Sequence, residues 1–331
     1  MAEKIFITGA SGFIGANLAR KLNELGYGLS LLLHKNSTHP FIENLPNAKK
    51  FVGDITDKQS VKLAMSNCDT VFHCAAKISF SRYCYDELYK VNVEGTQNVL
   101  ESASELEIKR FVHISACAVL GYSKNKNTVL DENSESDISK ENSYAYTKKA
   151  AEEKVKKFCE KGLNAVLANL STVYGEGDIH LNSGSIIKTI YSKKLKFAPY
   201  GGTSVISVKD VINGLILLME KGKKGERYIF ANENLEYIEL CNIIAKTLGV
   251  SAIKFKLPNI LYYPSLALIN ILHPFFKKNL LFSPQILKES FGYKYFNNAK
   301  SKKELGWTPE VEFKNAVADA LEFYDQREYC D

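Results

Sequence analysis

The stretch Thr8-Gly9-Ala10-Ser11-Gly12-Phe13-Ile14-Gly15 decides the fold of this chain. It ends the short apolar run Lys4–Thr8, which predicts a buried strand, and it leads directly into a helical pattern. Gly9 permits a tight turn, Gly12 lets the backbone approach a pyrophosphate, and Gly15 lets helix and strand pack closely. The helix start offers free N–H groups and the positive end of its dipole. The stretch therefore predicts the phosphate-binding turn of a dinucleotide site.

Apolar runs and helical patterns alternate through the first half of the chain. The runs are nearly continuous in apolar residues, as in strands that are buried on both faces. Such alternation predicts an α/β fold of the Rossmann type, a doubly wound parallel sheet with helices on both faces. The predicted strands are Lys4–Thr8, Leu29–Leu33, Lys50–Val52, Thr70–His73, Arg110–Ser115 and Ala165–Leu170, and the predicted helices include Gly15–Leu25, Lys58–Met65, Val91–Glu105 and Tyr144–Lys161.

The regular alternation ends after Val173-Tyr174-Gly175. We predict a dinucleotide-binding Rossmann domain over residues 1–172, with residues 203–222 returning to it, and a smaller mixed C-terminal substrate-binding lobe over residues 173–202 and 223–331. The returning segment would supply the strand Val205–Val208 and the helix Asp210–Glu220. Ligands of such sheets bind at the carboxyl ends of the strands, which here would lie in the cleft beneath the lobe.

The composition of the chain indicates which kinds of binding partner and which cellular compartment to expect. The 331-residue chain has a net charge of +6 from scattered lysines, so no nucleic-acid partner is predicted. Seven cysteines without a CxxC pair and six dispersed histidines predict neither disulfides nor a metal site. Cys74 and Cys117 stand in strand-like runs, where a free thiol acts as a small hydrophobe. We therefore expect a reducing, cytoplasmic compartment, and no signal peptide, because Lys4-Ile5-Phe6-Ile7 already forms a strand.

Leu257–Phe282 is the most apolar stretch of the chain. Several prolines and the pair Lys277-Lys278 interrupt it, so it is a poor candidate for a membrane span. We expect a buried pair of helices in the smaller lobe. Peripheral contact with a lipid surface is the alternative.

The residues after the second predicted strand bear on the choice of nicotinamide dinucleotide. NAD sites usually place an acidic residue there, where it contacts the ribose hydroxyls. This chain instead has His34-Lys35-Asn36-Ser37-Thr38, whose basic and hydroxyl groups suit a 2′-phosphate. The sequence therefore favours NADP over NAD, and a solvated loop that ignores the ribose is the alternative.

Tyr144 and Lys148 are four residues apart at the start of a predicted helix, so both lie on one face. An ammonium group beside a phenol favours the phenolate and lowers the pKa of the tyrosine. Such a tyrosine can exchange a proton with a substrate hydroxyl or carbonyl near neutral pH. Tyr146 forms no such pair, because Ala150 follows it at the same spacing.

Taken together, these motifs resemble the extended short-chain dehydrogenase/reductase superfamily, also called the NAD-dependent epimerase/dehydratase superfamily. The resemblance covers nearly the whole chain and is specific, because six separate motifs agree. They are the glycine turn, Gly53-Asp54-Ile55-Thr56-Asp57, Val71-Phe72-His73-Cys74-Ala75-Ala76, Asn92-Val93-Glu94-Gly95-Thr96-Gln97-Asn98-Val99, Tyr144-x-x-Thr147-Lys148-x-x-Ala151-Glu152 and Leu305-Gly306-Trp307-Thr308-Pro309.

The resemblance implies an enzyme with Tyr144 as general acid/base and Lys148 lowering its pKa and holding the nicotinamide ribose. Hydride would pass between C4 of the nicotinamide and a substrate carbon. A homodimer through a four-helix bundle that includes Val91–Glu105 and Tyr144–Lys161 is also implied. The predicted dinucleotide contacts are Gly9, Ser11, Gly12, Phe13, Ile14, Gly15, His34, Lys35, Asp54, Ile55, Ala75, Ala76, Lys77, Asn92, Tyr144, Lys148, Leu170 and Val173.

The chain departs from the family at its third catalytic group. The usual Ser or Thr lies five residues before Gly121, where this chain has Ala116. Ser115 precedes it, but neighbouring strand residues face opposite sides, so Ser115 can serve only if the backbone turns there. A missing donor of this kind costs about 10²–10³ in rate. The alternatives are a shifted Ser115, a donor borrowed from Ser79 or Thr172, and a dinucleotide-binding protein with little turnover.

A second departure concerns the substrate. Nucleotide-sugar members often have Asn where this chain has Thr172, Arg-Pro where it has Asn169-Leu170, and His where it has Ser207. The predicted lobe contains the apolar run from Leu257 and the pair Phe275-Phe276, and no obvious arginine to clamp a diphosphate. The balance resembles the dihydroflavonol reductase and 3β-hydroxysteroid dehydrogenase branch, which acts on apolar alcohols and ketones. A nucleotide-sugar epimerase or dehydratase is the alternative.

Overall fold

The computed structural model describes residues 3–272 and 284–326. The strands are β1 (Lys4–Thr8), β2 (Gly28–Leu33), β3 (Ala48–Val52), β4 (Thr70–His73), β5 (Arg110–Ala116), β6 (Ala165–Leu170), β7 (Thr172–Tyr174), β8 (Gly202–Ser207), β9 (Arg227–Phe230), β10 (Glu233–Glu236) and β11 (Tyr293–Lys294). The helices are α1 (Phe13–Glu24), α2 (Lys58–Met65), α3 (Tyr85–Tyr89), α4 (Thr96–Glu105), α5 (Ser143–Glu160), α6 (Gly184–Tyr191), α7 (Val208–Lys221), α8 (Tyr237–Thr247), α9 (Tyr262–Leu272), α10 (Pro284–Ser290), α11 (Ala299–Leu305) and α12 (Phe313–Asp325).

The main sheet of the described chain has seven parallel strands in the order β3-β2-β1-β4-β5-β6-β9. One face packs against α1 and α7, and the other packs against α2, α4 and α5. Burial on both faces explains why the strands are nearly continuous in apolar residues. The predicted α/β fold with a doubly wound parallel sheet is confirmed.

The strand predicted at Val205–Val208 does not join the main sheet, so this part of the domain prediction is wrong. Those residues belong to β8, which pairs with β7, β10 and β11 in a second, mixed sheet. The edge of the main sheet beside β6 is taken by β9, which follows α7 in the chain. A parallel pair needs a crossover between its strands, and α7 completes the connection from β6 to β9. The helix therefore returns to the main sheet, as predicted, but its strand is Arg227–Phe230.

The second sheet forms the base of the smaller lobe, together with α6, α8 and α12. Their shared core contains Ile187, Leu240, Phe313 and Phe323, which are all buried. Tyr174 of β7 packs edge-on against Phe313, with 4.9 Å between the ring centroids. The smaller mixed C-terminal lobe that the sequence predicts is thus present.

Helix α9 lies on the surface of this lobe, and none of its residues is buried. The expectation of a buried helix pair is therefore wrong for Tyr262–Leu272. Among the described residues, this helix contacts α10 and Phe291. Residues 273–282 of the apolar stretch, including Phe275-Phe276, lie outside the described residues. Within the described chain, no helix has the length and apolar character needed to cross a bilayer.

Candidate dinucleotide site and catalytic helix

The glycine turn between β1 and α1 is shaped by close backbone contacts. Gly9 has a positive φ of 66°, and a Cβ there would lie 2.6 Å from the Ala75 nitrogen. A Cβ on Gly15 would overlap the Gly9 carbonyl. Helix α1 begins after Gly12 without a side-chain cap and without an acidic residue in its first turn. Its free N–H groups and dipole therefore suit the pyrophosphate of a dinucleotide.

A buried hydrogen-bond chain fixes the turn after β4. The Thr8 hydroxyl lies 2.7 Å from His73 Nδ1, and it accepts a 3.1 Å bond from the Ala75 N–H. His73 Nε2 lies 2.9 Å from the Thr96 hydroxyl, which donates to the Asn92 carbonyl. Burial, together with the nearby Lys148 charge, lowers the pKa of His73 to about 3, so the ring is neutral. Sequence reasoning missed the roles of His73 and Thr96, although both stand inside quoted motifs.

Asn92 joins this chain to the catalytic helix. It lies in a π-helical turn, Lys90–Gly95, between α3 and α4, and such turns are frequent at functional sites. Its amide accepts from the Lys77 N–H (2.7 Å), and it donates to the Lys77 carbonyl (3.0 Å) and to the Thr147 hydroxyl (3.1 Å). Asn92 thus holds the segment after β4 against α5, one residue from Lys148.

The loop after β2 lies beside the glycine turn. The Ser11 hydroxyl donates to the Ser37 hydroxyl over 3.0 Å, and Lys35 is exposed. His34 Nε2 is 3.3 Å from Asp54 Oδ2. Burial acts to raise the pKa of Asp54, but hydrogen bonds from Thr56 and the His34 charge outweigh it, and the pKa is lowered. The structure therefore brings His34, Lys35 and Asp54 to the same edge as the glycine turn, and their contacts with the ribose and the adenine stay predictions.

Tyr144 and Lys148 occupy the first two turns of α5, which Asn142 caps by accepting from the Ala145 N–H (3.4 Å). Lys148 Nζ donates to the Ile114 carbonyl over 2.7 Å. Burial lowers the pKa of Lys148 to about 8 and raises the pKa of Tyr144 to about 12. Burial therefore dominates the pKa of Tyr144, and the Lys148 ammonium group is bonded to a carbonyl; that Lys148 lowers the pKa of Tyr144 stays a prediction.

Ser115 remains a buried strand residue. The backbone at Ala116 is extended (φ −133°, ψ 145°), so the turn that would bring Ser115 to the position of Ala116 is absent at this point. Alternation along β5 places Ser115 with Phe111 on the face that packs against α5. Among the described residues its hydroxyl has no hydrogen-bond partner. The condition for Ser115 to act as the third catalytic group is not met.

The two other candidate donors have partners of their own. The Thr172 hydroxyl lies 3.2 Å from the Thr203 hydroxyl, between β7 and β8. The Ser79 hydroxyl accepts from the Ser81 N–H over 3.3 Å. The predicted contacts Leu170 and Val173 lie at the end of β6 and on β7, at the same carboxyl edge as the glycine turn.

A buried ion pair, missed from the sequence, supports the catalytic helix. Glu152 is one turn beyond Lys148, and its carboxylate pairs with Arg227 of β9. The Asn169 amide donates to Glu152 Oε1 (2.7 Å) and to the Ala116 carbonyl (3.2 Å). Glu152 therefore ties α5 to the last two strands of the sheet. The quoted catalytic motif contains Glu152, but its distant partner could not be read from the sequence.

A cavity of about 170 Å³ lies where the start of α5 faces the smaller lobe. Its wall includes Tyr122, Asn142, Glu289 and Lys294. Asn142 donates to Glu289 Oε1 over 3.0 Å, and Lys294 Nζ lies 3.1 Å from Glu289 Oε2. These charged groups satisfy each other. Sequence reasoning missed this cluster, because Glu289 and Lys294 are far from Asn142 in the chain.

The described arginine side chains that could bind anions have other partners. Arg20 pairs with Glu176, and Arg227 pairs with Glu152. Arg110 donates to Asn164 and to the carbonyls of helix α7 and its end. Lys288, which also lines the cavity, lies 3.3 Å from Glu141. In the described residues, then, each of these cations has an oxygen partner, and no His/Cys/Asp/Glu group has the composition of a metal site.

The chain is similar to known families and proteins. The profile of the NAD dependent epimerase/dehydratase family matches residues 5–231. A Synechocystis protein named as a dihydroflavonol 4-reductase is 31% identical over 99% of this chain and 96% of that protein. A 3-beta-hydroxysteroid dehydrogenase of Mycolicibacterium neoaurum is 27% identical over 97% of this chain and 91% of that protein.

A solved structure shares the whole architecture. The crystal structure of gox2253 has a TM-score of 0.86 and 30% identity, and the match covers 99% of this chain and 100% of that one. The parallel sheet and the second, smaller sheet therefore agree with the comparisons. The chain belongs to the NAD dependent epimerase/dehydratase family of extended short-chain dehydrogenases/reductases and is an NAD(P)-dependent oxidoreductase.

Proposed function

We propose that this protein is an NADP-dependent oxidoreductase that interconverts a ketone and a secondary alcohol on a largely apolar small molecule. The observation that supports an apolar substrate is that arginine and lysine side chains of the protein are already paired with carboxylates. Arg20, Arg227 and the cavity lysines Lys288 and Lys294 have carboxylate partners, so they are not free to clamp a diphosphate. The reductase and dehydrogenase names of the two relatives agree with this choice.

Tyr144 is the general acid/base of this proposal. With a pKa raised to about 12, the phenol is protonated at neutral pH and can donate its proton to a carbonyl oxygen. The pKa of Lys148, lowered to about 8, leaves it largely an ammonium at pH 7, able to hold the nicotinamide ribose. Phe80 packs edge-on against the Tyr144 ring, with 5.8 Å between the centroids, and orients the phenol.

The dinucleotide fits the groups at the carboxyl edge of the sheet. The α1 N-terminus would hold the pyrophosphate, and Asp54 and Ile55 would contact the adenosine. His34 and Lys35 favour the 2′-phosphate of NADP, because Lys35 is exposed and no acidic residue replaces them. When bound, the dinucleotide supplies or accepts the hydride.

We also infer a homodimer in the cytoplasm. Helices α4 and α5 lie side by side on one face of the sheet, as the predicted four-helix bundle requires. The described cysteines are free thiols, of which Cys117, Cys159 and Cys241 are buried, and this supports a reducing compartment.

The test is turnover with a panel of hydrophobic ketones, followed by NADPH or NADH oxidation. We expect oxidation of NADPH in preference to NADH. Tyr144→Phe should lower kcat by about 10²–10⁴, because the proton donor is lost, while the Kd of NADPH changes less than about twofold. Tyr146→Phe is the matched control, since Tyr146 lies on the same helix and contacts Tyr85.

Undiminished turnover in the Tyr144→Phe variant would refute the assignment of the acid. Thermal protection by uridine or thymidine diphosphate sugars, without protection by apolar ketones, would favour the nucleotide-sugar alternative. Tight NADPH binding with no turnover on any ketone would favour a protein of low activity.

A further inference from the structure

Helix α9 has a composition that water does not favour. Its sequence, Tyr262–Leu272, contains no charged residue, yet none of its residues is buried. A helix that is apolar on all sides is normally buried in a core or in a membrane. Its 11 residues rise only about 16 Å, roughly half the hydrocarbon core of a bilayer. It is therefore too short to span a bilayer but long enough to lie in its interface.

The loop that leads into α9, and a second loop bridged to it, also expose apolar side chains. Ala198 and Lys256 form a β-bridge, and the Leu257 N–H donates to the Ala198 carbonyl over 2.9 Å. This bridge brings Phe197 and Phe255 together, with 6.3 Å between ring centroids. The second loop then runs through a 3₁₀ turn, Asn259–Leu261, into α9. Six apolar side chains along this path expose between 50% and 82% of their surface: Phe197, Phe255, Ile260, Tyr263, Leu268 and Ile271.

Lysines accompany these apolar side chains. Lys193, Lys194, Lys196 and Lys254 are exposed in the same two loops. Within the part of the chain that the structure describes, none of the four forms an ion pair. The sequence has no Asp or Glu from residue 179 to 209, nor from residue 240 to 288. The positive charge of this face is therefore not neutralised by acidic neighbours in those segments.

We propose that this face, called here the α9 face, binds the surface of an anionic lipid bilayer. The α9 face consists of the six apolar side chains and the four lysines named above. Apolar side chains would enter the boundary between headgroups and acyl chains, and the lysines would contact anionic headgroups. The proposal goes beyond the oxidoreductase function and does not depend on it.

A second copy of the chain fits the α9 face less well. A twofold interface sets the same patch of both copies against each other. Lys193, Lys194, Lys196 and Lys254 of one copy would then approach the same lysines of its partner. Like charges placed together oppose association, whereas an anionic surface complements them.

The test is co-sedimentation of the full chain with vesicles. We expect binding to phosphatidylcholine vesicles that contain 30% phosphatidylglycerol, and binding at least about tenfold weaker to pure phosphatidylcholine. Raising NaCl from 0.1 M to 1 M shortens the Debye length from about 10 Å to about 3 Å and should weaken binding strongly. Leu268→Ser combined with Ile271→Ser should weaken binding at least about tenfold, as should replacing the four lysines by Gln.

The controls use exposed residues of the other half of the molecule. Leu63→Ser on α2 and Lys156→Gln with Lys157→Gln on α5 should leave vesicle binding unchanged. All variants should keep wild-type NADPH affinity and turnover on a water-soluble ketone, which separates this proposal from the proposed function. No binding to anionic vesicles, or equal binding by the α9 variants, would overturn it. Self-association abolished by the α9 variants, without vesicle binding, would assign the face to a second copy.

Discussion

The two halves of the molecule treat polar and apolar side chains in opposite ways. The dinucleotide half buries polar groups and bonds them to each other, as in the set formed by Thr8, His73, Thr96 and Asn92. The smaller lobe exposes apolar side chains along α9. Buried polar networks require exact partners, so they accompany fixed sequence motifs. An exposed apolar surface requires only that apolar residues occupy the exposed positions. It therefore has no fixed sequence motif by which it can be recognised.

The largest effect is expected where the dinucleotide half buries an ion pair. Glu152→Gln should lower the free energy of unfolding by about 3–5 kcal/mol, because it removes a buried carboxylate and leaves the largely buried Arg227 guanidinium without its counter-charge. Urea unfolding measures this change. Glu312→Gln in the lobe breaks a well-exposed pair with Lys314 and should cost less than about 1 kcal/mol. Equal costs for the two variants would contradict the contrast between the halves.

Acid should weaken the dinucleotide half through its buried histidines. The pKa of His73 is lowered from 6.5 to about 3, and burial places that of His113 well below 6.5. Only the unfolded chain then binds these protons, so stability falls as pH drops below about 6.5. At pH 5.5 each histidine should cost about 1.4 kcal/mol, or about 3 kcal/mol together.

Urea unfolding at pH 7.5 and pH 5.5 measures this loss. His113→Leu should remove about half of it, because neither nitrogen of His113 has a partner among the described residues. His180→Gln is the control, since His180 is exposed in the lobe. A His113→Leu variant with the same pH dependence as the wild type would show that His113 is not the source.

A smaller effect should follow from restoring the family's hydroxyl. Ala116 is extended and half-buried, so Ser can replace it without backbone strain. Ala116→Ser should raise kcat about 10–100-fold, because the added donor stabilises developing charge on oxygen. Ser115→Ala should change kcat less than about threefold, since Ser115 is buried and the extended backbone at Ala116 does not bring its hydroxyl to the position of Ala116. Ala118→Ser, on the next turn, is the control; a large loss in Ser115→Ala would reinstate Ser115 as a donor.

The sequence predicted the parts of the site that depend on local spacing. The glycine turn, six of the seven main-sheet strands to within two residues and the Tyr144–Lys148 helix follow from short-range patterns. The choice between β8 and β9 as the seventh strand could not be predicted, because both are short, mostly buried strands next to α7. The partners of Glu152 and Asn142 were equally hidden, since they lie 75 and 147 residues away.

The hydrogen bonds from Thr8 through His73 and Thr96 to Asn92, and from Asn92 to Thr147, also have a consequence for folding. They cross from the turn that would hold the pyrophosphate to the helix that carries Tyr144. Opening either end would leave buried polar groups without partners, so the two ends should open and close as one cooperative unit. Their amide hydrogens should exchange with solvent together, and NADPH binding at the turn should slow exchange along α5. A substitution at Tyr144 could therefore abolish catalysis and leave the dinucleotide site intact. A substitution that destabilises the glycine turn, in contrast, should also destabilise the start of α5.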